Sequence, residues 1–215
     1  MQCIELIQQI SALIGIWLAI YGINSWRREH VGKRQLELAE DTLAQFYEAA
    51  DAIKHIRHPA STSEETDTVK RGEGESNTQF QARKNASVVF YRYNQYQELF
   101  NKIHASRYRF MAQIGKAKSK PFDDLREIVN EIEVAARTLA RLWARDHFRT
   151  DEQWEKHRAQ VEKYEAVFWE GIAGDDTINP QMKRVIEEIE ATCSEIIAGR
   201  AKPHGFLNLK LGGRN

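Results

Sequence analysis

Apolar residues run almost unbroken from Ile10 to Ile23, with Ser11 as the main interruption. They cover every face of a helix, whereas a helix packed on a soluble core would show one stripe. Counted from Ile7 to Ile23 at about 1.5 Å per residue, the segment is roughly 25 Å long, enough for a thin bilayer. Glu5, Gln8 and Gln9 weaken its outer end, and a run this short also suits a buried core helix. Two further features favour a span. Residues 1–26 contain no Lys or Arg, so the basic region of a signal peptide is missing. Tyr21 and Trp26 close the inner end, where amphipathic rings settle at an interface. Residues 1–26 are therefore predicted to be a transmembrane anchor. Arg27, Arg28, Lys33 and Arg34 follow directly, with Glu29 opposing them, and basic residues stay on the cytoplasmic side. This sets the expectation of a single-pass topology with the N-terminus outside the membrane and a cytoplasmic C-terminus.

Beyond the anchor the apolar period changes to 3–4, the mark of helices in a bundle. Residues 27–58 read as a juxtamembrane helix with the stripe Leu36, Ala39, Leu43, Phe46, Ala50, Ile53. Residues 59–78 are polar and read as a flexible loop. Residues 79–199 carry the remaining helices. The first is predicted from Gln79 to Ile114, facing inward through Ala86, Phe90, Tyr93, Tyr96, Phe100, Ile103, Phe110 and Ile114, with Gly115 as its C-terminal cap. The next is predicted to start near Asp124, capped by that residue and Glu127, with Leu125, Ile128, Ile132, Ala135, Leu139, Leu142 and Trp143 as its stripe. Thr150 and Gln153 form a capping-box pattern ahead of Trp154, Val161, Tyr164 and Phe168, and Gly171 and Gly174 end that helix. Asn179-Pro180 suits a helix start before Met182, Val185, Ile189, Cys193 and Ile196, closed by Gly199. The expected fold is all-α: one transmembrane helix followed by an antiparallel bundle of about five helices. Residues 200–215 form a basic tail in which Leu207, Leu209 and Leu211 alternate like a short strand.

Composition narrows the function classes. Lys plus Arg equal Asp plus Glu at 31 each, so overall charge gives no reason to expect nucleic acid as a partner. The only cysteines are Cys3 and Cys193; the predicted topology puts them on opposite sides of a membrane, and Cys193 reads as a small core residue. Within the anchor, Ser11, Gly15 and Ala19 recur every four residues, a spacing that lets two helices approach closely and favours self-association. Spans contain such residues by chance as well. The turn holding Lys116, Lys118 and Lys120 should return toward the inner leaflet, where each lysine is worth about 1 kcal/mol near anionic lipid; an ordinary solvated turn is the equal alternative.

Candidate chemistry is sparse. The loop Arg71-Gly72-Glu73-Gly74-Glu75-Ser76 lacks the Gly-Lys-Ser/Thr ending of a phosphate loop, and its glutamates repel phosphate. His55 and His58 are three apart, but no Glu-x-x-His occurs, so a helical di-metal site is not expected. Asp146-His147 would diverge on a helix. No cofactor and no catalytic residue is predicted. The most organised charged feature is Arg137, Arg141, Arg145 and Arg149, one every four residues. On a helix they would form a row able to grip phosphate, lipid headgroups or an acidic partner helix. Pairing with glutamates of the last two helices is the favoured alternative.

The stretch Trp26-Arg27-Arg28-Glu29-His30-Val31-Gly32-Lys33-Arg34-Gln35, with Glu37-Leu38-Ala39-Glu40 and later Trp143-Ala144-Arg145-Asp146-His147-Phe148, resembles uncharacterised bacterial single-span inner-membrane proteins with a basic juxtamembrane helix. The resemblance implies a bacterial inner membrane and carries over no functional residue. The sequence thus leads to a membrane-anchored helical interaction or scaffold module, bound to the lipid bilayer and an unidentified cytoplasmic protein partner. An oligomeric effector that perturbs the bilayer is the alternative from another class, and an enzyme ranks last.

Overall fold

The apolar segment and the first amphipathic stripe form one uninterrupted helix, because nothing between them carries a proline or a turn sequence. The computed structural model describes residues 2–171 and 176–201, and the side chains of residues 11–171 and 176–199. The described residues form five α-helices and no strand: α1 Gln2–Ile56, α2 Asn77–Gln113, α3 Lys120–Leu142, α4 Asp151–Phe168 and α5 Ile178–Ala201. The tail beyond Ala201, with its strand-like alternation, and Gly174 lie outside the described residues. The chain divides into two units, residues 42–193 and residues 1–41 with 194–215.

In the unit 42–193, ring and polar contacts fix the helix directions. Phe46 of α1 meets Phe122 of α3 edge-on at 5.0 Å, and further along Ile53 and Ile56 line one cleft with Val129 and Ile132, so these two helices run the same way. Phe110 meets Phe122 at 5.1 Å while Arg137 lies 5.5 Å over Phe90, so α2 and α3 are antiparallel. Tyr47 donates to Glu190 and Gln181 donates to Glu131, so α5 also runs against α1 and α3. Four helices therefore make the antiparallel bundle. The fifth corrects the expectation: α4 is not another stave. Its last residue, Phe168, packs on Trp143, which follows the C-terminal end of α3, and Trp143 donates its indole N–H to Glu165. Two helices that finish at one place cannot lie antiparallel along each other.

The core is drawn from the expected stripes, with a rotation on two of them. On α3, Leu125, Ile128, Ile132, Ala135, Leu139 and Leu142 are all buried. On α1 the buried line is Leu38, Ala39, Thr42, Phe46, Ala49 and Ile53, and Leu43 and Ala50 lie on its margin. On α2 it passes through Ala86, Val89, Arg92, Phe100 and Ile103, with Phe90, Tyr93 and Tyr96 half-buried. On α5, Met182, Val185, Ile189 and Cys193 are buried.

Several helix ends differ from expectation. α3 begins at Lys120, not Asp124, because Pro121 in its first turn already holds a helical φ and lacks the N–H that the first turn would leave unpaired. Asp124 is then inside the helix and pairs with Lys120. Before α4, Thr150 accepts from the Gln153 N–H at 3.2 Å, but Gln153 reaches back to the Arg149 N–H, not to Thr150. α5 is capped by Asp176, whose Oδ1 accepts from the N–H groups of Ile178 and Asn179 at 2.9 and 3.0 Å, not by Asn179 itself. α5 also continues through Gly199 to Ala201.

Candidate functional site

The surface with the least cover is the first part of α1. Every side chain from Ser11 to Val31 is exposed. Leu13 is 67% accessible, Trp17 64%, Ile23 64% and Trp26 66%. Successive residues on a helix turn about 100°, so Leu13, Ile14, Ile16, Leu18, Ile20 and Ile23 present apolar groups in most directions. The remaining face carries Ser11, Gly15, Ala19 and Gly22, and open space lies beside both glycines. Trp17 stacks on Tyr21 at 5.7 Å and Trp26 on His30 at 5.5 Å. Among the described residues no helix is long and apolar enough to cross a membrane. Ser11 to Ile23 gives only about 20 Å; Ile7 and Ile10, which the 25 Å count used, have side chains outside the described residues.

Immediately below this surface, Arg27, Arg28 and Arg34 are exposed and hold no ion pair among the described residues, whereas Lys33 pairs with Glu37 at 3.9 Å. Lys116 and Lys118 form a short 3-10 turn, and Lys120 is held by Asp124 and, at 3.6 Å, by Glu188. This turn lies at the end of its unit that contains the Phe46–Phe122 contact.

The expected row of four arginines is not a row. α3 stops at Leu142, so only Arg137 and Arg141 stand on it; Arg145 lies in the 3-10 turn Arg145–His147 and Arg149 in the loop before α4. The helix stops because Trp143 turns to pack on Phe168 and Trp169. Arg137 pairs with Glu133 at 2.6 Å and covers Phe90. Arg145 pairs with Asp151 at 3.2 Å and covers Trp154 at 5.6 Å. Their partners are local, not the glutamates of α5.

Two other arginines do organise the fold. Arg92, 2% exposed, forks onto Glu65 at 2.5 and 3.0 Å. It also donates to the carbonyls of His55, His58 and Ala60, so it caps the C-terminal end of α1 from the side of α2. Arg57, fully buried, does the same for α4, donating to the carbonyls of Ala166, Val167 and Trp169. Its guanidinium lies 3.0 Å from Asp176 and 3.3 Å from Asn179. Helix C-termini expose unpaired carbonyls and partial negative charge, which a five-donor fork satisfies. The Arg92 guanidinium holds the Glu65 carboxyl below its usual range. Burial alone would raise Asp176, but the Asn179 N–H and Arg57 outweigh it and hold the group low.

The loop 59–78 is likewise tied by charge. Glu75 accepts a two-pronged contact from Arg83 at 2.8 and 2.7 Å and the Gly72 N–H at 2.8 Å, which bring its carboxyl down to about 2. Ser76 caps α2 with Gln79 and also donates to Asp146, whose carboxyl is lowered by Ser76 and Thr78. His147 instead turns to the Phe148 ring. His55 meets the Tyr96 hydroxyl and His58 the Ala60 N–H, so the two histidines do not converge. No family model, curated protein or solved structure matches this chain.

Proposed function

We propose that this chain is a membrane-anchored helical module whose first helix crosses a bilayer and whose unit 42–193 serves as a protein-interaction scaffold on the cytoplasmic side. The observation that supports this is the uncovered apolar surface from Leu13 to Trp26. Burying one Leu or Ile side chain is worth about 1.5–3 kcal/mol. The six large aliphatic residues there together represent roughly 10 kcal/mol or more, as much as a whole domain's stability. A second copy of the helix would cover one line of it, the small-residue face of Ser11, Gly15 and Ala19. Lipid covers every direction at once, which is what this distribution needs.

Orientation follows from Arg27, Arg28, Lys33 and Arg34, the basic cluster that keeps its side of a span in the cytoplasm. Trp26 and Tyr21 suit the interface between the two regions. A green fluorescent protein fused after Asn215 is expected to fluoresce in bacterial membranes, and an alkaline phosphatase fused there to be inactive. The reverse pattern would overturn the orientation.

A further inference from the structure

Between α2 and α3 the bundle leaves a cleft of about 210 Å³. Its apolar walls are Phe122, Val129 and the stacked pair Tyr93 and Phe100, whose rings lie 5.4 Å apart and nearly parallel. Its rim carries His104 and Arg126. No carboxylate lines it. Arg126 is exposed and makes no ion pair or hydrogen bond among the described residues, although acids stand beside it in sequence. Asp123 is committed to Arg107 at 2.7 Å and Asp124 to Lys120, and Glu127 lines a different groove, with Lys120, Gln181 and Arg184. Glu133, on the far side of Tyr93, is taken by Arg137 at 2.6 Å.

An apolar pocket with a few convergent polar groups is the usual form of a small-molecule site. An engineered apolar cavity of about 150 Å³ holds benzene, so the present cleft suits a body of one or two fused rings. A lone guanidinium at the mouth, with no acid in the lining, selects a carboxylate over a cation or a neutral head. We infer that this cleft binds a small aromatic carboxylate, its ring against Tyr93, Phe100 and Phe122 and its carboxylate toward Arg126, with His104 as a second donor. This inference does not depend on the membrane reading, because every residue named belongs to the unit 42–193.

The test uses the full chain in lipid nanodiscs, with empty discs as blank, and indole-3-acetate as probe. Saturation-transfer NMR titration is expected to give saturable binding with a Kd of roughly 0.1–3 mM, the affinity a ligand of this size reaches. Indole-3-ethanol, the neutral analogue, is expected to bind about tenfold more weakly, and Arg126→Gln to bind both compounds with that lower affinity. Because Arg126 is exposed, the variant keeps its fold, which circular dichroism checks. Absence of saturable binding below about 10 mM overturns the site. Equal binding of acid and alcohol, or undiminished binding by Arg126→Gln, overturns the assignment of a carboxylate to it.

Discussion

Arg57 and Arg92 head the completely buried large side chains, ahead of Phe46 and Phe110. Each neutralises a carboxylate and satisfies the carbonyls at a helix end, so its removal strands several buried groups at once. Arg57→Met and Arg92→Met are each expected to cost about 3–5 kcal/mol in urea unfolding. Arg158→Gln, which breaks only exposed contacts to Glu155 and Glu162, should cost under about 0.5 kcal/mol. Equal effects for the buried and exposed arginines would contradict the capping account. The pH dependence carries a definite sign. Glu65 and Asp176 are both held below their ordinary values of 4.5 and 3.8. Their stabilisation is complete above the ordinary carboxylate range and fades as pH falls through the lowered values. The gap between wild type and Arg92→Met should accordingly shrink below about pH 4. Arg92 was legible in part, since it follows Val89 by three residues and precedes Phe100 by eight, in phase with the core. A charge on an apolar phase carries no signal of its own until its carbonyl partners are known, and those lie in another helix.

At the scale of elements, stripes with one dominant apolar line were readable and stripes bordered by small or polar residues were not. α3 alternates bulky aliphatics with charges, and its buried positions follow from the sequence. α1 buries Ala49, Ala52, Thr42 and Gln45, which contribute little hydrophobic signal, so the line rotates away from Leu43 and Ala50. Cap residues are not legible where side chains act across a turn, as Asp176 does for α5. The loop 59–78 shows the same limit: its polar composition conceals the contacts of Glu75 with Arg83 and Gly72 and of Arg71 with the Glu75 carbonyl. Arg83→Ala should therefore speed tryptic cleavage at Lys70 and Arg71 several-fold relative to wild type, as the released loop samples open states more often. Unchanged cleavage would show that this network does not hold the loop. Cys193 reports on α5. It is completely buried, and burial pushes its thiol up to about 11. It should stay unmodified by iodoacetamide at pH 8 in the folded protein and react in urea; ready reaction without denaturant would place α5 elsewhere.

For the molecule as a whole, helix count and class were evident from the periodicity, but the docking of α4 was not. It depends on Trp143 meeting Phe168 and Trp169, a contact between segments whose order in the chain gives no angle. The caps and core of the bundle nevertheless lie largely between Thr42 and Cys193. Residues 35–199 alone are expected to melt cooperatively as a helical protein, and Leu139→Asp, at a position with no exposed surface, to abolish that transition. The central claim is that the apolar part of α1 lies in a bilayer. Alkaline carbonate extraction of membranes from cells making the full chain tests it most directly, beside a chain that begins at residue 35. The account predicts that the full chain stays in the membrane pellet and the shortened one is recovered in the supernatant. Release of the full chain into the supernatant would contradict it.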